Sequence, residues 1–265
     1  MSVFIAGTGY IPAGTDPPSS LARDLRRADS FISLAVQAGS AALGKISSTL
    51  PGPGPHGLVL GTAFGPMQTN FDVLDQVVRQ EQTSPTLFSH SVFNAAAGYL
   101  ARIFKLQGSG LTLTDFAFPF FQALQQGSIA ITSGQLESCL VLQVETYSDL
   151  LTDARTRIIG KDMDHWPAGA VAWLLTGNNG KHDKEMTSID VQFQPSPGSG
   201  YFRVDERLTD TSHAETINSP LGAAVAVTRI IADAPRKEQT ICITAPYGSI
   251  ELRYRCHYPI SEKEA

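Results

Sequence analysis

The chain is poor in charge, in cysteine and in long apolar runs. Charged residues make up 17% of its 265 positions, and 20 Lys plus Arg face 25 Asp plus Glu. At a formal net charge of −5 there is no basic excess to neutralise a phosphate backbone, so no nucleic-acid partner is expected. Three cysteines (Cys139, Cys242 and Cys256) are an odd number with no CxxC spacing. That excludes a disulfide scaffold and a Cys-rich zinc site, and it fits a reducing compartment. No stretch reaches the roughly 18 apolar residues of a membrane span. The opening MSVFIAGTGYIPAG offers only the apolar run Val3 to Ala6 before Gly7, Gly9 and Pro12 break it, which is too short for a signal-peptide core. A cytoplasmic protein without a membrane span is expected.

Familiar catalytic and cofactor patterns are missing too. His165, His182 and His213 lie in polar stretches near Asp162, Asp164 and Asp183, but no HxH or HxxxH pair exists, so they read as surface histidines and no metal site is expected. Gly7-x-Gly9 lacks the third glycine and the immediate helix of a dinucleotide fingerprint, and reads as a strand-end turn. Neither Gly108-Ser109-Gly110 nor Gly198-Ser199-Gly200 supplies the G-x-S-x-G elbow of a hydrolase. No cofactor is expected.

What is present is an alternation of strands and helices. Apolar residues reach 42%, with 23 Gly and 16 Pro, as in a loop-rich α/β protein. Buried strands are predicted at Val3 to Gly7, Leu58 to Ala63, Leu111 to Thr114, Cys139 to Glu145 and Pro167 to Thr176. Three more are predicted at Ser188 to Phe193, Thr240 to Thr244 and Ile250 to Cys256. Apolar residues at helical spacing predict helices at Ser30 to Lys45, Asn70 to Gln82 (capped by Asn70 or Thr69), Ser91 to Phe104, Phe118 to Ile131 and Leu221 to Ala232. PGPGPHG (Pro51 to Gly57) and the polar stretch Gln194 to Ser212 read as loops, and Gly177-Asn178-Asn179-Gly180 as a hairpin turn. No composition break marks a linker, so one α/β domain over residues 1–265 is expected, richer in helix in its first half.

The order of these pieces resembles the β-ketoacyl synthase family. Ser84 to Gly98, SPTLFSHSVFNAAAG, is similar to a stretch of the form P-x-x-F-x-x-S/A-V-x-N-A-x-A-G, carried here by Pro85, Phe88, Ser91, Val92, Asn94, Ala95, Ala97 and Gly98. Asp29 to Leu43 resembles the family's first helix, and LVLGTAFGP its V-x-x-G-T-x-x-G strand. GQLESCLVLQVE and PAGAVAWLL resemble two later strands, and Ser219 to Cys256 the closing helix and strand pair. The resemblance implies a thiolase-like fold, layered α-β-α-β-α, with a nearly complete first half and a second half shortened between about Phe193 and Ser219.

It also implies a lost active site. The family's nucleophile sits in a D-T-A-C-S-S turn. Asp115 and Ala117 align with that motif's Asp and Ala, and Phe118 falls where the cysteine stands. A phenyl ring cannot hold an acyl chain as a thioester. No H-G-T-G-T motif occurs, and the segment before the last helix, Ile217 to Ala224, has no histidine. The resemblance therefore implies a non-catalytic subunit, a chain-length factor, in fatty acid or polyketide (aryl polyene-type) biosynthesis. It would pair with a catalytic ketosynthase as a heterodimer and meet acyl carrier protein through the complex. The Gln that chain-length factors carry at the cysteine position is not present. The nucleophile-bearing strand of this fold lies at the dimer interface, so Leu111, Thr112, Leu113 and Thr114 would pair with the partner's strand. Phe88, Phe93, Asp115, Phe116, Phe118 and Phe120 would line the acyl tunnel or interface. Ordinary core packing is the alternative for the Phe cluster. Two other functions compete: a stand-alone binder of acyl groups or of acyl carrier protein, and a hydrolase built on Ser89, His90 or Asp115.

Overall fold

The computed structural model describes residues 2–44, 54–159, 166–177, 186–194, 202–207, 212–217, 219–233, 238–245 and 248–257. His165, His182, the three aspartates beside them and most of the predicted turn at 177–180 lie outside this set.

The first half runs β1 (Val3–Pro12), α1 (Ser19–Leu25), α2 (Ser30–Leu43), β2 (His56–Thr62), α3 (Met67–Val78), α4 (Pro85–His90), α5 (Ala95–Phe104), β3 (Gly110–Thr114), α6 (Pro119–Thr132), β4 (Ser138–Glu145), α7 (Asp149–Ile159) and β5 (Gly169–Gly177). The second half runs β6 (Met186–Gln194), β7 (Phe202–Arg207), β8 (Ser212–Ile217), α8 (Pro220–Asp233), β9 (Glu238–Ala245) and β10 (Gly248–His257). All ten strands join one sheet, in the order β3-β2-β4-β5-β1-β6-β10-β9-β7-β8. Counted from the first strand of each half, the order 3-2-4-5-1 reads the same from either edge. The seam is short: β1 meets β6 through Val3, Phe4 and Ile5 alone.

Two cores flank the first-half strands. Under α1, α2 and α5 lie Ile32, Val36, Leu58, Leu60, Leu100 and Leu142. On the other face, α6 and α8 sit between the two halves, and one continuous cluster joins Phe121 and Leu124 of α6, Trp173 of β5, Val227 of α8 and Leu252 of β10. The indole Nε1 of Trp173 donates to Thr228 Oγ1 of α8 at 2.9 Å. β4 and β5, covered on both faces, are buried along their whole length, as the continuous apolar runs predicted.

Among the described residues, the second half keeps its strands and one helix and shows no outer helical layer. β2 and β3 are parallel and need the long crossover that holds α3, α4 and α5. β7 and β8 are antiparallel, with only residues 208–211 between them. The outer face of this half is polar as a result. Ile189, Val191 and Phe193 face the core while Asp190 and Gln192 are exposed, and Leu252 and Tyr254 are buried while Arg253 and Arg255 are exposed.

Several predictions from the sequence need correction. Gly7 and Gly9 do not end a strand; they lie inside β1 because α2 crosses there. A Cβ on Gly7 would strike the Ala42 carbonyl, and one on Gly9 would come within 2.6 Å of the Ala38 carbonyl. The polar stretch from Gln194 to Ser212 contains β7 rather than only loop; β7 pairs antiparallel with β8 and β9, and an antiparallel strand needs no continuous apolar run. α3 starts at Met67, so neither Asn70 nor Thr69 caps it, and the Thr69 hydroxyl instead donates to Asp29 Oδ2 at 2.7 Å. Ser84 caps a separate short helix, α4, and Ser91 to Asn94 form its exit rather than the start of α5. α1 and α7 were not predicted: α1 is only seven residues long, and polar residues outnumber apolar ones in α7.

Candidate functional site

β2, β3 and β4 are parallel, so the segments that leave their carboxyl ends emerge at one end of the sheet. In open α/β sheets that is where ligand crevices form. The β3–α6 turn lies there. Asp115 N donates to the Thr62 carbonyl at 3.2 Å, which continues the β2–β3 pairing by one residue. Asp115 Oδ1 then accepts from both Ala117 N and Phe118 N at 2.6 Å. One carboxylate thus folds the turn and satisfies two backbone donors that Phe118, at the N-cap of α6, cannot serve with its own side chain. Pro119 opens the helix with a preset φ. Gly61 of β2 lets this helix start so close to the sheet, because a Cβ there would collide with the Pro119 carbonyl.

Phe118 is 5% exposed and meets Phe193 of β6 edge-on, with ring centroids 6.2 Å apart. The two rings border a cavity of about 500 Å³. Thr114, Asp115, Phe116 and Gln122 line it from the first half, and Gln194 and Ser249 from the second. It is an apolar pocket with a few polar groups at the junction of the two halves, the form of a site for a small organic ligand. Among the described residues its lining contains neither cysteine nor histidine. The Cys139 thiol is remote in chemical terms as well: burial pushes its pKa up to about 12, so it stays protonated.

The other predicted site residues distribute themselves unevenly. Phe116 is 65% exposed and borders both the cavity and an aromatic cluster. In that cluster Phe64, from the β2–α3 loop, lies 5.6 Å from Phe116, 5.9 Å from Tyr147 and 5.5 Å from Trp166. Phe120 is fully buried against Trp173, at 5.0 Å, and belongs to the core rather than the cavity. Phe88 is exposed on α4, and the half-buried Phe93 packs against Gly65; neither borders the cavity. Leu111, Thr112, Leu113 and Thr114 form a sheet edge, bonded to β2 on one side only. His90 is buried at the end of α4, and its Nε2 lies 3.0 Å from the Tyr99 hydroxyl, a packed position rather than a free base.

Sequence reasoning missed Phe193 and Glu145. Phe193 reads as one more apolar residue of a strand, and only the tertiary fold brings it to Phe118. Glu145 ends β4 fully buried. It accepts from Ala63 N at 2.6 Å, Gln143 Nε2 at 3.0 Å and Thr62 Oγ1 at 3.3 Å. Burial pushes its pKa up to about 7, against the opposing pull of these donors. A charged residue closing an apolar strand run was the available signal.

The family profile described as "Beta-ketoacyl synthase, N-terminal domain" matches residues 47–194, more than half of the chain. The chain belongs to the β-ketoacyl synthase family. No curated protein matches its sequence significantly. Solved ketosynthase structures share its thiolase-like fold. One is a ketosynthase in complex with its chain length factor from Xenorhabdus doucetiae, at 16% identity and a TM-score of 0.63, covering 96% of this chain and 99% of that one. Another is the ishigamide ketosynthase/chain length factor, at 16% identity and a TM-score of 0.61, covering 74% and 68%. A third is the AntDE:AntF complex, a type II acyl-carrier protein with its ketosynthase bound to the hexaketide, at 16% and 0.64, covering 74% and 70%. About two thirds of the ishigamide chain and of the AntDE:AntF chain is covered, whereas the Xenorhabdus chain is matched end to end. Among the described residues no helix is long and apolar enough to cross a membrane.

Proposed function

We propose that this β-ketoacyl synthase-like chain is a non-catalytic subunit, a chain-length factor. It pairs with an active ketosynthase and walls the tunnel in which a fatty acyl or polyketide (aryl polyene-type) chain grows. The observation that carries the reading is Phe118. A buried ring stands at the head of α6, where the family motif places its thiol, and it borders a cavity instead of presenting a nucleophile. A condensation needs a thiolate and an oxyanion hole, and the turn supplies no thiolate. The solved complexes of similar fold, named for a ketosynthase with its chain length factor, support the same reading. The open edge of β3 offers backbone donors and acceptors to a partner strand, with Leu111 to Thr114 as the pairing segment. Carrier protein meets this subunit through the complex.

The direct test is co-expression with a catalytic ketosynthase from its own gene neighbourhood, followed by size-exclusion chromatography. Co-elution at the heterodimer mass is expected, and elution as a monomer or homodimer that ignores the synthase would remove the reading. Within the complex, Phe118→Ala is expected to shift the product distribution toward longer chains by enlarging the cavity, as read by mass spectrometry. Phe118→Cys is expected to restore no condensation, because among the described residues no histidine lines the cavity beside the turn to activate the thiol.

A further inference from the structure

A second cavity, of about 510 Å³, lies where the two halves part. β10 pairs with β6 along its whole length, but β1 pairs with β6 only through Thr187, Ser188 and Ile189. β1 begins at Val3, opposite Ile189, so no described strand continues the pairing beside Asp190 and Val191. The cavity occupies this gap, between the start of β1, residues 188–191 of β6 and the C-terminal half of α6. It shares no lining residue with the cavity at Phe118. The two lie at opposite ends of α6, whose 14 residues span about 21 Å.

Because no strand closes this edge, the cavity is lined from both faces of the sheet. Half-buried Val191 and the 51% exposed Ile129 of α6 are its apolar wall on the inner side. Arg253 and Arg255 of β10, both exposed, reach it from the outer side. Two residues apart on one strand, they leave the same face about 7 Å apart. Glu251, outside the lining, accepts from Arg253 Nε at 2.9 Å and Nη2 at 2.8 Å, which fixes the plane of that guanidinium. A guanidinium carries five N–H donors, more than one carboxylate oxygen takes up. The lining holds a single carboxylate, Asp190, which accepts from Gln192 Nε2 at 2.9 Å. The hydroxyls of Ser128, Thr132 and Ser188 are turned to backbone carbonyls, so the charged donors dominate recognition. Cationic donors on one side and an apolar wall on the other suit an oxyanion carried on an apolar tail. We infer that this cavity is a second ligand site, separate from the one at Phe118, that takes a small amphipathic oxyanion: a carboxylate or phosphate on a short apolar chain. The inference does not depend on the proposed function.

The experiment is calorimetry on the full chain with octanoate, octyl phosphate, neutral octanol and inorganic phosphate. At least one octyl anion is expected to bind, and the tighter of the two names the head group. Octanol and inorganic phosphate each keep only one half of the recognition and are expected to bind roughly tenfold more weakly or not at all. Arg255→Gln and Ile129→Glu are each expected to weaken the octyl anion by roughly tenfold or more. Circular dichroism and melting check that these exposed substitutions leave folding intact. Methyl NMR is expected to show the Ile129 resonance shifting as the octyl anion is added. Absence of binding by both octyl anions at millimolar concentration would overturn the site. So would octanol binding as tightly as the anions, or anion binding that leaves the Ile129 methyl unmoved and that neither variant weakens.

Discussion

Glu145 and Asp115 show how single carboxylates set the site. Glu145 is fully buried, and burial pushes its pKa from 4.5 up to about 7. In the unfolded chain it ionises near its ordinary value, so the unfolded state sheds this proton first. Its contribution to stability is fully present below about pH 4.5 and is lost as pH rises through about 7. The shift corresponds to about 3 kcal/mol between those limits. Melting midpoints are therefore expected to fall as pH rises from about 4.5 to about 7 and to level off above that, and Glu145→Gln is expected to flatten that slope; an unchanged slope would refute the assignment. Asp115 holds two backbone donors in the turn. Asp115→Ala is expected to cost about 1–3 kcal/mol in chemical denaturation, while Asp115→Asn, which keeps the acceptor, should recover most of it. Asp115 was legible in the sequence through its motif. Glu145 was not, because its partners lie some eighty residues away in the chain.

Among the elements, α6 is placed by a contact that the sequence conceals. Its first residue sits on Gly61, where a Cβ would collide with the Pro119 carbonyl. Gly61→Ala must push α6 off β2, at an expected cost of about 1–3 kcal/mol, the usual range for overpacking. It should also disturb the cavity, which begins at the residue before Pro119. Thermal denaturation checks the first effect and product length in the complex the second. The helices with continuous apolar faces, α2, α6 and α8, were readable from periodicity because each is covered by a sheet. α7 was not, because Asp149, Thr152, Asp153, Arg155, Thr156 and Arg157 outnumber its apolar residues. β7 escaped because its sequence, FRVDER, carries four charged residues and no apolar run.

For the whole molecule, the sheet reads 3-2-4-5-1 from both edges, yet among the described residues only the first half carries helices on both faces. The halves share one apolar cluster, from Phe121 through Trp173 and Val227 to Leu252. We predict one cooperative unfolding transition, because neither half buries its inner face without the other. Tryptophan fluorescence and far-ultraviolet circular dichroism should report the same denaturant midpoint. Two separated transitions would show that the halves fold independently.

Sequence alone determined the five strands of the first half, its helices α2, α3, α5 and α6, and the family. These rest on local patterning and on residues adjacent in the chain. Tertiary structure decided the rest. It brought Phe193 to Phe118 across the seam between halves, buried Glu145 under the β2–α3 loop, sent Phe120 into the core and left α3 and α7 with uncovered apolar faces. Each of these depends on which surfaces meet, and a linear pattern records that a side chain is apolar without recording what covers it.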